Sequence, residues 1–593
     1  MPESIPRPEY PRPQMVRKDW MNLNGLWEFE MDLGDSGRDR GLPSKGKLEG
    51  TILVPFCPES ELSGAGYTDF MRAVWYRREF LLPEGWFGRS ILLHFGAVDY
   101  EAEIWVNGRQ VGLHQGGYSS FTFEISDLVQ SGANTLTVCA RDNMLSGLQP
   151  AGKQSRKYHS YECSYTRTTG IWQTVWLEAV PTSRIERIKY YPDPENSCLY
   201  IQAFFSCSEK KLHFNVGATY HDKCVGNAEC TVFGSETLLR LELSEKHLWA
   251  PGKPELYNLV LTLWDDSGEI DTVHSYFGLR SITIGKNAIL INGEPIFQRL
   301  VLDQGFYPKG IYTAPTDIDL CADIQRAMLM GFNGARLHQK VFEQRFLYWA
   351  DMLGYMVWGE YADTGLDITT ARALESFVPE WMEVIARDFN SPSIVGWCPF
   401  NETRDNSNGC RQDDHVIRTG YTVTKAIDPT RPVIDASGFV HVQTDIFDIH
   451  DYEQDPKAFK EKFAFMCDDP GAYNTHPTRQ KYSDQPYFIS EFGGIWWSPG
   501  NESENQMSYG LRPRSEEEYL VRYEGLVKTL LDHPRICGFC YTQLYDVEQE
   551  VNGLYTYERR PKFETSAISR INSRPACIER NNCIQTNNTD DFI

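Results

Sequence analysis

The chain has 593 residues, of which 41% are hydrophobic and 23% charged, with a formal net charge of −23. A surface this acidic repels polyanions, so nucleic acid and anionic membranes are excluded as expected partners. No run of about 18 apolar residues offers a membrane span, and a chain this long is expected to fold as about three domains. The start of the chain carries no apolar leader, and its 15 cysteines are odd in number and scattered. Both features predict a reduced, cytoplasmic protein. Cys537 and Cys540 form a lone CxxC; with no second pair at zinc-site spacing it reads as buried packing rather than a metal site. The 15 Trp and 31 Tyr suit either large β cores or aromatic platforms for sugar rings.

Residues 10–181 read as all-β. Short alternating runs at 75–80, 91–95, 102–106, 135–141 and 173–179 are separated by turn chemistry such as Asn107-Gly108. Many short strands with regular turns predict an N-terminal β-sandwich of jelly-roll type. A second β stretch, 182–282, with runs at 213–219, 238–243 and 256–264, fits one immunoglobulin-like β-sandwich.

From 283 the pattern changes. Helical periodicity at 316–331, 343–353 and 371–389 alternates with strands at 332–338, 355–360 and 394–401. Repeated βα units through 570 predict a C-terminal (β/α)8, or TIM, barrel. No helix start carries a glycine-rich phosphate cradle, so nucleotide chemistry is not expected. The tail 571–593, rich in Asn, Asp and Arg, lacks periodicity and is expected to be loose.

Active sites of such barrels lie at the C-terminal ends of the strands. Polar residues that end apolar runs are therefore the candidates. Arg336 and His338 close one run, Glu360 the next, and Asn401-Glu402 a third. His450 and Tyr452 follow 446–449, and Glu491 closes 487–490. A buried carboxylate is costly, so a single one needs a reason such as a helix cap or an Arg partner. Two of them, Glu402 and Glu491, on the strands counted as four and seven, face each other across a barrel mouth. Glycoside hydrolysis needs that arrangement, with one carboxyl protonated and one ionised. A spacing of about 5–5.5 Å gives retention through a covalent intermediate, and a wider one inverts.

The block Ser393-Ile394-Val395-Gly396-Trp397-Cys398-Pro399-Phe400-Asn401-Glu402 resembles the acid/base block of glycoside hydrolase family 2. Ile489-Ser490-Glu491-Phe492-Gly493-Gly494 is similar to its nucleophile block, and Gly331-Phe332-Asn333-Gly334-Ala335-Arg336 to an earlier barrel strand. Leu23-Asn24-Gly25-Leu26-Trp27 and Trp75-Tyr76-Arg77-Arg78 resemble the family's first sandwich, and Leu248-Trp249-Ala250-Pro251 and Phe277-Gly278-Leu279-Arg280 its middle one. The resemblance implies a retaining exo-β-glycosidase acting on terminal β-linked sugars by double displacement. Glu402 would be general acid/base and Glu491 nucleophile. Asn401 would bond the sugar 2-hydroxyl, and Tyr452 would hold Glu491 ionised. Arg336 either lowers a catalytic carboxylate or pairs with Glu360, and both can hold together.

Other candidates carry two readings. His338 is a sugar contact or a packed strand-end histidine, with Gln339 where many members carry His. Trp496 and Trp497 form a sugar platform or belong to the core. Asp546 is expected to reach substrate hydroxyls. Asp303 and Gln304 stand where the large β-galactosidases hold metal and hydroxyl ligands; no such set is clear, so no cofactor is expected and magnesium is unsupported. Asn552-Gly553-Leu554 lacks the Lys with which the family's β-glucuronidases hold the substrate carboxylate. The resulting expectation is a β-galactosidase. A β-uronidase, β-mannosidase or pentosidase on the same machinery, or an inactive carbohydrate-binding protein, are the alternatives. The expected partner is carbohydrate, and a homo-oligomer would fit a large enzyme of this kind.

Overall fold

Alternating apolar residues in the first third of the chain build two facing antiparallel sheets. One runs in the order Gly50–Val54, Gly25–Met31, Ala73–Leu81, Ala133–Arg141, Glu101–Val106, Arg109–Gln115. The other runs Trp20–Asn22, Val175–Val180, Ser90–Phe95, Phe121–Glu124. Their inner faces close over Trp27, Val74, Tyr76, Leu93, Ile104 and Val138. Asn107 and Gly108 both take positive φ, 51° and 74°, the tight hairpin that Asn-Gly predicts. The computed structural model describes residues 5–44, 46–206, 211–266, 268–403, 411–467, 473–500 and 506–580.

The middle sandwich packs Arg184–Asp193, Cys198–Ser206 and Glu236–Glu242 against a second sheet. That sheet orders Lys223–Val232, Leu212–Tyr220, Leu256–Asp265 and Gly268–Gly278. Leu199, Ile201, Phe214, Val216, Leu259 and Leu261 fill the space between.

The last part curls into the barrel. Seven parallel strands run in the order Ile394–Cys398, Met356–Glu360, Gly334–Leu337, Gln298–Asp303, Ile536–Thr542, Tyr487–Gly493, Phe447–Asp451. Every residue of Gln298–Asp303 and Tyr487–Gly493 is buried, as expected of parallel strands covered on both faces. The open edges meet at 433–437, which bridges in parallel to the fourth strand through Val433 to Trp397 and Ser437 to Asn401. This segment occupies the fifth of eight barrel positions without forming a regular strand. Pro432 before it has no N–H to give. Asp435 within it is spent on the backbone N–H groups of Val442 and Gln443. Glu402 thus follows position four, and Glu491 lies in position seven.

Helices close on the signals read from sequence. Asp317–Leu329 opens with a capping box between Thr316 and Asp319, and Gln344–Leu353 stops at Gly354, φ 66°. Cys537 and Cys540 are buried in one strand, three residues apart, so their side chains leave opposite faces and cannot chelate together. Among the described residues no helix is long and apolar enough to cross a membrane.

The loose tail expected from 571 needs correction as far as 580. Thr565–Asn572 and Cys577–Arg580 are helices, and Asn572 is buried with its Nδ2 donating to the Met330 carbonyl at 2.8 Å. Arg299 grips Glu579 at 2.7 Å. Polar anchors hold this segment, which is why apolar periodicity missed it. Residues 581–593 lie outside the described residues.

Candidate active site

Each candidate carboxylate is aimed by a local irregularity. Asn401 donates its N–H to Asp363 at 3.0 Å, and Glu402 donates its own to the Ser437 carbonyl at 3.0 Å. Glu402 takes a left-handed backbone, φ 47°, a conformation costing about 1–3 kcal/mol that persists where surroundings impose it. In the seventh position the pairing register slips: Ile449 faces Ile489, but His450 faces Glu491. The extra residue, Ser490, makes a bulge that re-aims the following side chain.

The result is a close pair. One carboxyl oxygen of Glu402, one of Glu491 and one ring nitrogen of His450 lie within 4.8 Å of one another. That bound fits the close approach of a retaining pair, about 5–5.5 Å between carboxyl groups, and not the about 6.5–9.5 Å that admits an attacking water.

A buried ion network lies beneath. Arg336 Nε is 2.7 Å from Glu360 Oε2, its Nη1 is 2.7 Å from Glu491 Oε1, and its Nη2 donates to Asn401 Oδ1. Both readings of Arg336 therefore hold. The Nδ2 of Asn401 keeps no partner among the described residues. His338 Nδ1 is 3.0 Å from Glu360 and 3.8 Å from Glu491. Tyr452 donates its hydroxyl to Glu491 Oε2 and stacks on Tyr509, centroids 3.7 Å apart. Burial pushes Glu491 up, but the charges of His450, His338, Arg336 and Lys153 outweigh it and hold the carboxyl well below its usual range.

His450 stands between the two acids. Its Nδ1 is 2.9 Å from Glu402 Oε1, and its Nε2 is 3.5 Å from Glu491 Oε1 and 3.2 Å from Ser437 Oγ. Gly438, φ 77°, makes room, since a Cβ there would lie 2.2 Å from the ring. Burial pushes Glu402 up, yet the hydrogen bond and charge of His450 prevail and bring it down to about 2, with Glu491 opposing. A sugar entering the cavity adds desolvation to the forces that raise Glu402, in the direction an acid catalyst needs.

The pair opens into a cavity of about 430 Å3 lined by His338, Glu402, His450, Tyr452 and Glu491 from the barrel. Sequence reasoning did not find the rest of the lining: Gly438, Phe439, Thr475, His476, Met507 and Tyr509 from barrel loops, and Lys153, Glu162 and Cys163 from the first sandwich. The latter three sit on the connection 142–169, far longer than the about 12–15 residues beyond which a loop is usually functional. Its length was the available signal. Gly152 N donates to the carbonyls of Ala362 and Thr364 at 3.2 and 3.0 Å, and Thr166 N to Glu548 at 3.0 Å, fastening the loop over the barrel.

Several expected contacts are not brought to the cavity. Asp303 accepts from Tyr545 Oη and the Gly305 N–H; burial, with Asp323 nearby, pushes it up to about 6. Asp546 pairs with Lys562 at 2.6 Å and accepts the Gly553 N–H. Trp497 packs on Phe563 and Tyr519, so the platform reading gives way to core packing there. Trp496, beside it, is also outside the lining. Glu360 is buried beneath Arg336 rather than exposed to a sugar. For Asp303, Asp546, Trp497 and Glu360 an ion pair, hydrogen bond or packed ring consumes the side chain that sequence left free.

Known proteins match along the chain. Residues 61–181 match the model "Glycosyl hydrolases family 2, sugar binding domain" and 208–280 match "Glycosyl hydrolases family 2". Residues 283–566 match "Glycosyl hydrolases family 2, TIM barrel domain". The β-glucuronidase of Mus musculus is 26% identical over 447 residues, 69% of this chain and 67% of that protein. That of Canis lupus familiaris is 27% identical over 468 residues, 72% and 69% of the two chains. The structure of a Ruminococcus gnavus β-glucuronidase in complex with an N1-substituted uronic isofagomine superposes with a TM-score of 0.76. It covers 95% of this chain and 99% of that one at 18% identity, a likeness of fold. With all three matches in order over the two sandwiches and the barrel, the chain belongs to glycoside hydrolase family 2 and is a glycosidase.

Proposed function

We propose that the protein is a retaining exo-β-glycosidase that releases a terminal β-linked uronic acid. The observation that carries the chemistry is the spacing of Glu402 and Glu491, oxygens within 4.8 Å on one cavity. Glu491, held ionised by Arg336 and Tyr452, attacks the anomeric carbon. The bond from that carbon to the leaving oxygen breaks as Glu402 gives the oxygen its proton. The sugar is then an ester of Glu491. Glu402, now a carboxylate, takes a proton from water; the water oxygen bonds the anomeric carbon and Glu491 departs. Asn401 Nδ2 would donate to the 2-hydroxyl, a bond that strengthens in the transition state. Two carboxylates with their supporting charges on one cavity speak against an inactive binding protein.

The uronide reading is supported by the relatives, which are β-glucuronidases in mouse and dog. It replaces the galactoside expectation, which no named relative favours. One observation keeps a neutral sugar as second reading: Leu554 is fully buried where β-glucuronidases of the family are expected to carry Lys. A panel of p-nitrophenyl β-glycosides tests both. Uronides should exceed galactoside, mannoside and pentosides in kcat/KM by about 10–100-fold, the value of one charge-assisted hydrogen bond. The first sugar released should be the β-anomer by NMR. Preference for a neutral sugar, or an α-anomer as first product, contradicts the reading.

A further inference from the structure

If the sugar carries a carboxylate, a cation must meet it, and the barrel position expected to supply one holds Leu554 instead. Lys153 offers another. It enters from the first sandwich, not from the barrel, and its side chain lines the same cavity as Glu402 and Glu491. Its backbone is fixed: Tyr165 N donates to the Lys153 carbonyl at 2.7 Å. The preceding Gly152, φ 55°, packs so closely that a Cβ would lie 2.1 Å from the Gln339 carbonyl oxygen.

The ammonium of Lys153 makes no hydrogen bond and no ion pair with any described residue. The other lysines of the interior differ. Lys340 donates to the Gly305 and Tyr312 carbonyls, and Lys562 to Asp546 and the Trp497 carbonyl. Lys153 is only half-buried, so its ammonium is open to the cavity and available to a ligand that enters it. Burial lowers Lys153, but Cys163, Glu550, Glu402 and Glu491 raise it further, which keeps it cationic. The remaining charge on the lining fixes the class of ligand. Glu162 and Glu491 are carboxylates on the same lining, and Glu402 carries the proton that the reaction needs, so one ammonium does not balance a dianion there. A single carboxylate matches a single point charge.

We infer that Lys153 receives the carboxylate of the terminal uronic acid, so that the first sandwich supplies the specificity of the barrel's active site. This rests on the uronide reading. Lys153→Met keeps length and removes charge. It should lower kcat/KM for the uronide about 10–100-fold more than for the matching neutral glycoside, which loses only the share of Lys153 in holding Glu491 ionised. Lys153→Arg should retain most of the uronide preference. Calorimetry with free glucuronate and free glucose adds a readout independent of turnover: Lys153→Met should lose glucuronate binding only. Thermal unfolding of each variant identifies loss of folding, and Lys153→Arg then carries the test. Equal losses on charged and neutral glycosides, or unchanged uronide turnover, overturn the assignment of Lys153 while the uronide reading stands. A wild-type protein that hydrolyses only neutral glycosides overturns the uronide reading and the assignment with it.

Discussion

Two regions enclose the cavity, and they are built differently. The floor comes from strand ends of the barrel, where Arg336, Glu360, Asn401 and Glu491 are buried and bound to one another. The wall comes from the connection 142–169 of the first sandwich, where Lys153 lines the cavity and its ammonium has no hydrogen-bond or ion-pair partner among the described residues. In the floor, charge is neutralised internally and geometry is fixed, which suits chemistry that must be preorganised. In the wall, charge is left for a ligand, which suits selection among sugars on a constant machinery. Substitutions in the floor should therefore change turnover on every substrate, and substitutions in the wall should change the choice of substrate.

The largest effect belongs to the floor. Glu491→Ala should lose at least about 10^4-fold in kcat on every glycoside, part of the rate enhancement typical of enzymes. Turnover that survives on any sugar removes Glu491 from the nucleophile's role. Arg336→Met leaves Glu360 and Glu491 buried without their shared cation, and breaking such a network costs about 3–5 kcal/mol. Chemical denaturation should show that loss, together with low activity on all substrates; a variant of wild-type stability contradicts the network.

Gly152→Ala joins the two regions. The added methyl meets the Gln339 carbonyl, so the loop must shift, with an expected loss of about 1–3 kcal/mol in stability. KM for the uronide should rise more than kcat falls; a loss of kcat alone would place the loop in the chemistry.

The smallest effect is a displacement along the pH axis. Burial raises Glu402, and His450 brings it down to about 2. Glu402 must be protonated to act as acid, so activity falls as pH rises through its pKa in the free enzyme. His450→Gln removes the stronger lowering influence, so that pKa rises and the alkaline limb of kcat/KM moves to higher pH. A limb that stays fixed or moves to lower pH contradicts the role given to His450.

Much of the floor was legible in the sequence. Glu402 and Glu491 each end or interrupt an apolar barrel strand, and a carboxylate there needs a reason. The three-domain order and the Asn107-Gly108 hairpin follow from local periodicity and turn chemistry. The fifth barrel position did not, because Asp435 and Pro432 divert its backbone from regular pairing. The wall was not legible either. Lys153 lies more than two hundred residues from both Glu402 and Glu491, in a stretch with no period to place it. Trp497 and Asp546 misled for the opposite reason: each looks free in sequence, yet Phe563 and Lys562 come from distant segments to engage them.

The most direct measurement is covalent trapping. A 2-deoxy-2-fluoro glycosyl fluoride of the preferred sugar slows both steps and lets the glycosyl-enzyme accumulate, so peptide mass spectrometry can locate it. The sugar should be found esterified to Glu491, with one equivalent bound per chain. A label on any other residue, or inactivation without a covalent adduct, would contradict the double displacement across Glu402 and Glu491.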